Sequence, residues 1–302
     1  MRSRSNTEIR RCRPLLGTFV EVVASGRNAA DVKRGIDAAF ASVEKVCRLM
    51  SYYDAQSDVS RMNRDAFPKG VIVHPWTWQI MKAAKRLAEE SHGTFDVTVA
   101  PWLTKWNYLP PRGYRFGPAA NSRDIFLRPN YEVFFRRSLI VDFGGIAKGF
   151  AVDRAVDALK ENGIECGIVN AGGDLRTFGP ASQLIHLRHP TNPARVAGAV
   201  RLRERAMATS GIYFERRKYQ GRYVSPLLDA RSGKTACELI SVSVAAAECM
   251  TADALTKVVF ALREEAAGLL AQYRADALLL ECDGAASWMF HSCDTGERTR
   301  FD

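Results

Sequence analysis

The chain has 302 residues, of which 47% are hydrophobic and 25% are charged, and it carries a formal net charge of +10. This composition is ordinary for a globular protein, and no run approaches the ~20 apolar residues of a membrane span, which argues against a membrane-spanning protein. The positive charge suits an anionic partner such as a nucleic acid, a membrane surface or a phosphorylated cofactor. The basic residues are scattered, however, so a merely basic surface is the simpler interpretation, and we predict no nucleic-acid partner.

The cysteines and the N-terminus bear on the compartment and on the domain organisation. The seven cysteines show neither a C-x-x-C pair nor the spacing of zinc ligands, which is typical of buried thiols in a reducing compartment. The first residues lack the apolar stretch of a signal peptide, and we therefore predict a cytoplasmic protein. Residues 1–13 are predicted to be a mobile, basic segment, and residues 14–302 a single domain.

The first half of the chain alternates between strand-like and helical patterns. Residues 15–24 predict a strand, and residues 29–50 and 75–90 predict amphipathic helices. Between residues 103 and 123 the turn residues indicate an irregular surface segment. Asp96 lies among apolar and β-branched residues, where a carboxylate must be hydrogen-bonded, and a helix-capping role is the plain explanation for it.

The centre of the chain is a strand–turn–helix junction. An apolar run at residues 138–141 predicts a buried strand, and helical spacing resumes at residue 151. Gly144 and Gly145 would let a ligand approach the backbone, N–H groups at the helix start would bind a phosphate, and Lys148 would add a positive charge. The segment matches neither the dinucleotide fingerprint nor the Walker loop, and a plain turn with a solvated lysine is the alternative.

The second half of the chain is dominated by strands. Residues 164–175 predict a strand that ends in a second glycine pair with an acid, and residues 207–211 predict a turn of small residues. The remaining predicted elements are a helix at 250–262 and strands at 183–188, 197–203, 239–247, 276–281 and 286–291. Because hairpin-like pairs of strands are frequent, the expected fold class is α+β, with mixed, largely antiparallel sheets and packed helices.

Eight short segments of the chain carry a further signal: residues 16–18, 50–53, 93–101, 142–149, 170–174, 208–211, 229–233 and 252–255. In this order along the chain, they resemble the ApbE family of flavin transferases. No single segment is specific, but eight in order are hard to produce by chance. The resemblance implies an ApbE-like fold of two intertwined subdomains, and a reaction that transfers FMN from FAD to a threonine or serine hydroxyl of an acceptor protein with release of AMP.

The resemblance also implies a set of ligand-binding residues. The flavin site would include Leu16, Tyr53, Thr94, Phe95, Asp96, Asp142, Gly144, Gly145 and Lys148. Tyr53 offers a ring for stacking on the flavin, although a half-buried core tyrosine is the alternative. Asp96 and Asp142 would accept hydrogen bonds from the adenine or ribose, and Lys148 would meet the pyrophosphate. Lys148, Asp229 and Asp253 are the candidate catalytic residues, and the general base stays open between the two aspartates.

The family's magnesium site appears in this sequence with one departure. A backbone carbonyl at Gly145 and the side chain of Asp253 would bind the ion, but the usual threonine four residues later is Lys257. Thr256 lies near the same helix face and is the candidate replacement ligand. An ammonium about 4 Å from a divalent ion costs roughly 8 kcal/mol at an effective dielectric constant near 20. Lys257 therefore either pairs with an acid such as Asp253 or puts its ammonium in place of the ion.

A second departure concerns proton transfer. Pro226 stands where the family usually has a histidine just before the Asp229 turn, and proline can neither contact a nucleotide nor move a proton. Together with Lys257 it motivates a second hypothesis, in which the chain is a non-catalytic flavin-binding protein of the same family. The sequence leaves the identity of the acceptor protein and the formation of a homo-oligomer open.

Overall fold

The computed structural model describes residues 7–117, 119–189, 195–211, 216–235, 239–281 and 286–289. The helices are α1 Ala29–Met50, α2 Asp58–Asp65, α3 Pro75–Glu90, α4 Ala100–Lys105, α5 Ala147–Glu161, α6 Cys249–Leu262 and α7 Ala267–Gln272. Single 3₁₀ turns lie at Val97–Val99, Ser122–Asp124 and Arg263–Ala266.

The strands outnumber the helices along the described part of the chain. In chain order they are β1 Thr7–Leu15, β2 Thr18–Gly26, β3 Val71–Ile72, β4 Ile125–Arg128, β5 Glu132–Phe135, β6 Cys166–Ala171, β7 Asp174–Phe178, β8 Gln183–Arg188, β9 Val196–Leu202, β10 Ala206–Gly211, β11 Arg217–Tyr219, β12 Arg222–Val224, β13 Leu228–Asp229, β14 Lys234–Thr235, β15 Leu239–Ala246, β16 Asp276–Glu281 and β17 Ala286–Met289. Residues 290 and 291 of the last predicted strand lie outside the described residues.

The main sheet has eight strands in the order β1-β2-β6-β7-β10-β15-β16-β17, and every neighbouring pair is antiparallel. Helix α5 packs against both α1 and α6, and all three helices pack against this sheet. The β8–β9 hairpin contributes Leu187 and Val200 to a smaller apolar cluster that also includes Met207 and Leu278 of the sheet. The predicted α+β class with mainly antiparallel sheets is therefore confirmed.

The amphipathic helices form where the apolar spacing predicts them. The face of α1 that contains Val32, Ile36, Val43 and Val46 is fully buried, and the Asn28 side chain accepts a hydrogen bond from the Ala30 N–H as the N-cap. Helix α3 also has the predicted bounds. Among the described residues, no helix is both long and apolar enough to cross a bilayer.

The prediction of a mobile N-terminal segment is wrong for residues 7–13. These residues belong to β1, which pairs with β2 along its whole length, from Thr7 opposite Gly26 to Leu15 opposite Thr18. The basic side chains that suggested mobility are held by acids of α1, because Arg13 forms ion pairs with both Asp37 and Glu44. Residues 1–6 lie outside the described residues.

Two further predictions about strands and turns are wrong. Residues 139–141 are buried, but residues 138–141 do not form a strand, because the Asn63 side chain takes the place of a neighbouring strand. Its amide donates to the Val141 carbonyl at 2.9 Å, and its carbonyl accepts from the Val141 N–H at 2.8 Å. Residues 207–211 are not a turn but most of β10, where small side chains let α6 pack closely on the strand.

Candidate functional site

One pocket of about 990 Å³ lies where the β1–β2 turn, the start of α5, the β6–β7 turn and the end of β10 meet. All the residues that the sequence suggests for flavin binding line it: Leu16, Tyr53, Thr94, Phe95, Asp96, Asp142, Gly144, Gly145 and Lys148. Asp229, Asp253 and Thr256, the other candidates for catalysis or metal binding, are not among the lining residues. The pocket therefore gathers the candidate ligand-binding residues, while the late acids lie behind or beside its wall.

The start of α5 differs from the expectation in a way that affects phosphate binding. The helix begins at Ala147, about one turn before residue 151, so Lys148 lies in its first turn. The Gly144 N–H donates to the Asp142 carboxylate at 2.9 Å, and the Gly149 N–H donates to Asp253 Oδ2 at 3.0 Å. Two of the backbone N–H groups near the helix start, where a phosphate is predicted to bind, are therefore already hydrogen-bonded to carboxylates of the protein itself.

Gly149 makes this arrangement possible. A Cβ atom at this position would lie 2.3 Å from the Cys249 carbonyl oxygen and 2.8 Å from the Asp253 Cβ, which real side chains do not tolerate. The absent side chain allows α5 and α6 to pack closely enough for Asp253 to reach the first turn of α5. Such a contact between two helices cannot be read from either segment alone.

Two lysine–aspartate ion pairs lie at the pocket wall, each with its lysine in the lining and its aspartate buried behind it. Lys257 donates to the Asp253 carboxylate and, at 3.0 Å, to the Asp253 carbonyl, while Lys148 is paired with Asp174. Both aspartates are at most 1% exposed, whereas both lysines line the pocket. Because a buried carboxylate needs a partner, each acid fixes an ammonium group at the pocket surface.

The charges of this cluster shift the titration of its members. Burial alone would lower the pKa of Lys148, but the charges of Asp174 and Asp253 outweigh burial and raise it above its ordinary value. Burial alone would raise the pKa of Asp253, but Lys257 and Lys148 lower it below its ordinary value. Lys148 therefore brings positive charge to the pocket at neutral pH, and Lys257 is fixed beside it by its ion pair with Asp253.

The residues at the expected metal position do not fit Mg²⁺. This ion prefers about six oxygen ligands at roughly 2.0–2.1 Å. The Thr256 hydroxyl donates to the Asp253 carbonyl at 2.7 Å and lies 2.8 Å from the Ser210 hydroxyl, and Lys257 contacts the remaining Asp253 carboxylate oxygen. Across the described residues, no group of three or more His, Cys, Asp or Glu side chains could hold a metal ion.

Asp96 is held by the protein on all sides. Its Oδ1 accepts from the Thr98 N–H at 2.9 Å and the Thr98 hydroxyl at 2.8 Å. Its Oδ2 accepts from the Ser122 N–H at 3.1 Å and the Ser122 hydroxyl at 2.6 Å. A carboxylate has about four lone-pair positions, and here protein donors use them all. The geometry is that of the capping alternative, which ties residue 122 to the 3₁₀ turn after Asp96.

Asp142 and Thr94 leave more capacity for a ligand. Burial raises the pKa of Asp142, and the hydrogen bond from Gly144 only partly counters this rise. A hydrogen-bond donor on a ligand would stabilise the charged carboxylate further. The Thr94 hydroxyl is buried at the pocket wall and makes no hydrogen bond to any described residue. An unsatisfied buried hydroxyl at a pocket indicates a place for a ligand group.

The pocket rim includes an exposed aromatic ring and an unusual turn. Tyr53 is 61% exposed, so it is not the half-buried core residue of the alternative interpretation. Its ring meets Tyr52 edge-on at a centroid distance of 6.3 Å, which leaves a face for stacking. Leu16 has φ 56° in the two-residue turn with Gly17, a conformation that costs a leucine roughly 1–2 kcal/mol. Strain of this kind is often found at functional sites.

Neither candidate for the general base lies in the pocket wall. The Asp229 carboxylate is paired with Arg231 at 2.8 Å and accepts from the Arg231 N–H at 3.0 Å. Although burial would raise the pKa of Asp229, these contacts lower it, which makes the carboxylate a weak base. Asp253 is fully buried beneath Lys257. Pro226 itself lines the pocket.

Two arginines and one acid of this region are not among the residues that the sequence suggests for the site. Arg216 and Arg217 line the pocket, and their guanidinium groups lie 3.8 Å and 4.5 Å from the centroids of the Tyr223 and Tyr108 rings. The sequence shows them only as a short basic cluster on an already basic chain. Asp174 lies in one of the resembling segments, but its pairing with Lys148 depends on a contact between a strand and a helix.

Comparison with known proteins identifies the family. A sequence profile described as "ApbE family" matches residues 16–279. An FAD:protein FMN transferase of Vibrio cholerae is 30% identical over 249 residues, which cover 74% of this chain and 72% of that protein. One from Treponema pallidum is 26% identical over 305 residues, with coverage of 90% and 84%.

Solved structures agree with this assignment. The ApbE protein of Thermotoga maritima superposes with a TM-score of 0.80 at 27% identity, covering 94% of this chain and 96% of its own. The flavin transferase ApbE of Vibrio cholerae gives a TM-score of 0.78 at 25% identity, with coverage of 94% and 97%. The profile match, the relatives and the shared fold agree with the resemblance seen in eight sequence segments: the chain belongs to the ApbE family.

Proposed function

We propose that this chain is an FAD:protein FMN transferase, which moves FMN from FAD to a threonine or serine hydroxyl of an acceptor protein and releases AMP. The observation that carries the proposal is the single pocket that collects all the candidate flavin-binding residues around two fixed lysines. The relatives named for this activity support the assignment of substrate.

The reaction is a substitution at phosphorus. The acceptor oxygen forms a bond to the FMN-side phosphorus of the diphosphate, the bond to the bridging oxygen breaks, and AMP leaves with that oxygen. The hydroxyl proton passes to solvent or to the departing phosphate, because neither Asp229 nor Asp253 lines the pocket. In reactions of this kind, positioning and neutralisation of charge supply most of the rate.

The pocket residues suit these two tasks. Lys148 and Lys257 would meet the negative charge of the diphosphate, and each is held in place by a buried aspartate. Tyr53 would stack on a flat ring, while the Thr94 hydroxyl and the Asp142 carboxylate would bind polar groups of the nucleotide. Mg²⁺ does not fit the residues of this site, so the neutralisation of charge falls to the two lysines.

The reaction can be tested directly by looking for both products. The purified chain is incubated with FAD and a total protein extract of its source cells, followed by in-gel flavin fluorescence, mass spectrometry and nucleotide chromatography. We expect a fluorescent acceptor whose mass rises by FMN minus water, together with an equal amount of AMP. A variant with Asp142→Asn serves as the control with an altered pocket. Absence of both adduct and AMP would contradict the proposal.

A non-catalytic flavin-binding protein is the second candidate, and two observations favour it. Pro226 offers no group for proton transfer, and Lys257 is paired where a metal ligand is expected. In this case FAD would bind and be recovered intact after denaturation, and no acceptor would become labelled. Transfer by the unmodified chain would exclude this candidate.

We also propose that the protein works in a reducing compartment, namely the cytoplasm. Within the described part of the chain, Cys12, Cys47, Cys166 and Cys249 are free thiols; of these four only Cys249 is buried, so the predicted burial is wrong for the other three. Exposed and half-buried thiols persist most readily where the surroundings keep them reduced. Fractionation of source cells followed by immunodetection of the chain tests this location.

A further inference from the structure

We propose that the ammonium group of Lys257 takes the place of a metal ion, so that this chain binds the diphosphate of a flavin dinucleotide without a divalent cation. The inference rests on the proposed function, because it concerns the ligand of the same pocket. In this proposal Lys257 binds the diphosphate and removes the need for a divalent cation at the site.

The position of Lys257 is the first argument. The residue lies on α6 one turn after Asp253, and its Cε is 3.5 Å from the place where a Cβ of Gly145 would be. Its Nζ contacts the carboxylate and the carbonyl of Asp253, and its side chain is 15% exposed, toward the pocket. The ammonium therefore lies among the groups that would otherwise surround an ion.

The use of the oxygen atoms is the second argument. Asp253 Oδ2 accepts from the Gly149 N–H, its Oδ1 from Lys257, and its carbonyl from Thr256 and Lys257. The Thr256 hydroxyl is in turn hydrogen-bonded to Ser210 and is fully buried. A divalent ion would have to displace these donors and would then meet an ammonium group of the same sign at short range.

The charge of the pocket is the third argument. Among the described lining residues, the ionisable carboxylates are Asp96 and Asp142, and the cationic side chains are Lys148, Arg216, Arg217 and Lys257. A diphosphate ester carries about two negative charges, and fixed ammonium and guanidinium groups bind such anions through charge-assisted hydrogen bonds. The pocket thus supplies from its own side chains the positive charge that an added cation would bring.

The competing explanation is that Lys257 only neutralises the buried Asp253. The two explanations differ in what happens when the ammonium is removed. If Lys257 is merely a structural partner, its replacement changes stability but does not change how FAD binding depends on a divalent cation. If it stands in for a metal ion, replacement by threonine creates a need for the ion.

The experiment measures FAD affinity of the full chain by calorimetry, once in EDTA and once in millimolar MgCl₂. For the unmodified protein we expect tight binding in both buffers, with dissociation constants that differ by less than about threefold. For Lys257→Thr we expect binding in EDTA to weaken by about ten- to a hundredfold and to recover when MgCl₂ is added. Lys257→Met, which brings no oxygen ligand, should weaken binding in both buffers.

Controls separate this result from a loss of folding. Lys33→Thr removes an exposed lysine of α1 that is not a pocket-lining residue, and it should leave both dissociation constants unchanged. Thermal melting of each variant shows whether it folds, and the two-buffer comparison of the unmodified chain needs no variant at all.

Three outcomes would overturn the inference. A tenfold or larger gain in affinity of the unmodified chain on adding MgCl₂ would overturn it while leaving the proposed function intact. Equal affinities of the unmodified chain and both variants at residue 257 would do the same. Failure of the unmodified chain to bind FAD in either buffer would overturn the inference and the proposed function together.

Discussion

Helices α5 and α6 each contain a buried aspartate that accepts hydrogen bonds from the first turn of the other helix. The two aspartates differ in the basic side chain with which each is paired. Asp153 of α5 accepts from the Cys249 N–H at 2.9 Å and the Met250 N–H at 2.8 Å, and it is paired with Arg176 at 2.7 Å. Asp253 of α6 accepts from the Gly149 N–H and is paired with Lys257. The same device therefore occurs twice in reciprocal form.

The difference lies in where the partner cation points. Arg176 is on β7 and is not a pocket residue, whereas Lys257 lines the pocket. Burial raises the pKa of Asp153 to about 6 although Arg176 opposes the rise, while the pKa of Asp253 is lowered by two lysines. One aspartate thus serves the packing of the helices, and the other also presents a positive charge to a ligand.

The largest effect is expected when the structural contact is broken. Asp153→Ala removes the carboxylate, leaves Arg176 without this partner and uncaps α6, so we expect the free energy of unfolding to fall by about 3–5 kcal/mol. Urea denaturation followed by circular dichroism measures it. Asp157→Ala, which removes an ion pair with Arg154 on the same helix, should cost at most about 1 kcal/mol. Equal losses would contradict the assigned role of Asp153.

The next effect concerns pH. Because the pKa of Asp153 is about 6 in the folded chain and ordinarily 3.8, the folded state binds the proton more tightly. The protonated Asp153 carboxyl group therefore stabilises the folded chain fully below pH ~4. This stabilisation, about 3 kcal/mol, is lost as the pH rises to ~6. Stability of the unmodified chain relative to Asp153→Asn should fall across this window and stay level above it. A difference that is flat from pH 4 to 7 would rule this out.

A smaller effect is expected at the close approach of the two helices. Gly149→Ala places a methyl group against the Cys249 carbonyl, so we expect a loss of about 1–3 kcal/mol together with weaker FAD binding, because the contact positions Asp253. The control is Gly268→Ala in α7, where a Cβ meets nothing within 4 Å. That variant should be neutral or more stable by roughly 0.4–1 kcal/mol. A neutral Gly149→Ala variant would show that the helices can separate freely.

The smallest effect is expected for a pocket residue whose replacement should weaken ligand binding without lowering stability. Thr94→Val removes a buried hydroxyl that has no partner among the described residues, so stability should be unchanged or slightly higher. FAD affinity should fall by about three- to tenfold, measured by quenching of flavin fluorescence. In Thr177→Val, the lost hydroxyl is bonded to the Arg205 carbonyl and lies outside the pocket lining, so stability should fall and affinity should not. The reverse pattern would contradict the role given to Thr94.

Local patterns predicted a large part of the fold. The apolar spacing of α1 and α3, the strands of the second half and the glycine-rich turn before β7 are formed by residues close together in sequence, whose periodicity survives folding. The strand at residues 7–13 is not visible in the sequence, because its basic side chains look solvent-exposed and only the fold places acids of α1 beside them. The apolar run at residues 138–141 looks like a strand in the sequence, but in the fold the distant Asn63 side chain replaces a strand partner.

The sequence by itself predicted the family, the candidate pocket residues and, as one of two alternatives, the i,i+4 contact between Asp253 and Lys257, because these depend on short motifs and helical spacing. Only the tertiary structure decided that Asp96 is saturated by protein donors, that Asp229 and Thr256 lie outside the pocket lining, and that Lys148 is paired with Asp174. The physical reason is that burial and hydrogen-bond partners come from residues distant in sequence, and a carboxylate can bind a ligand only where those partners leave its oxygens available.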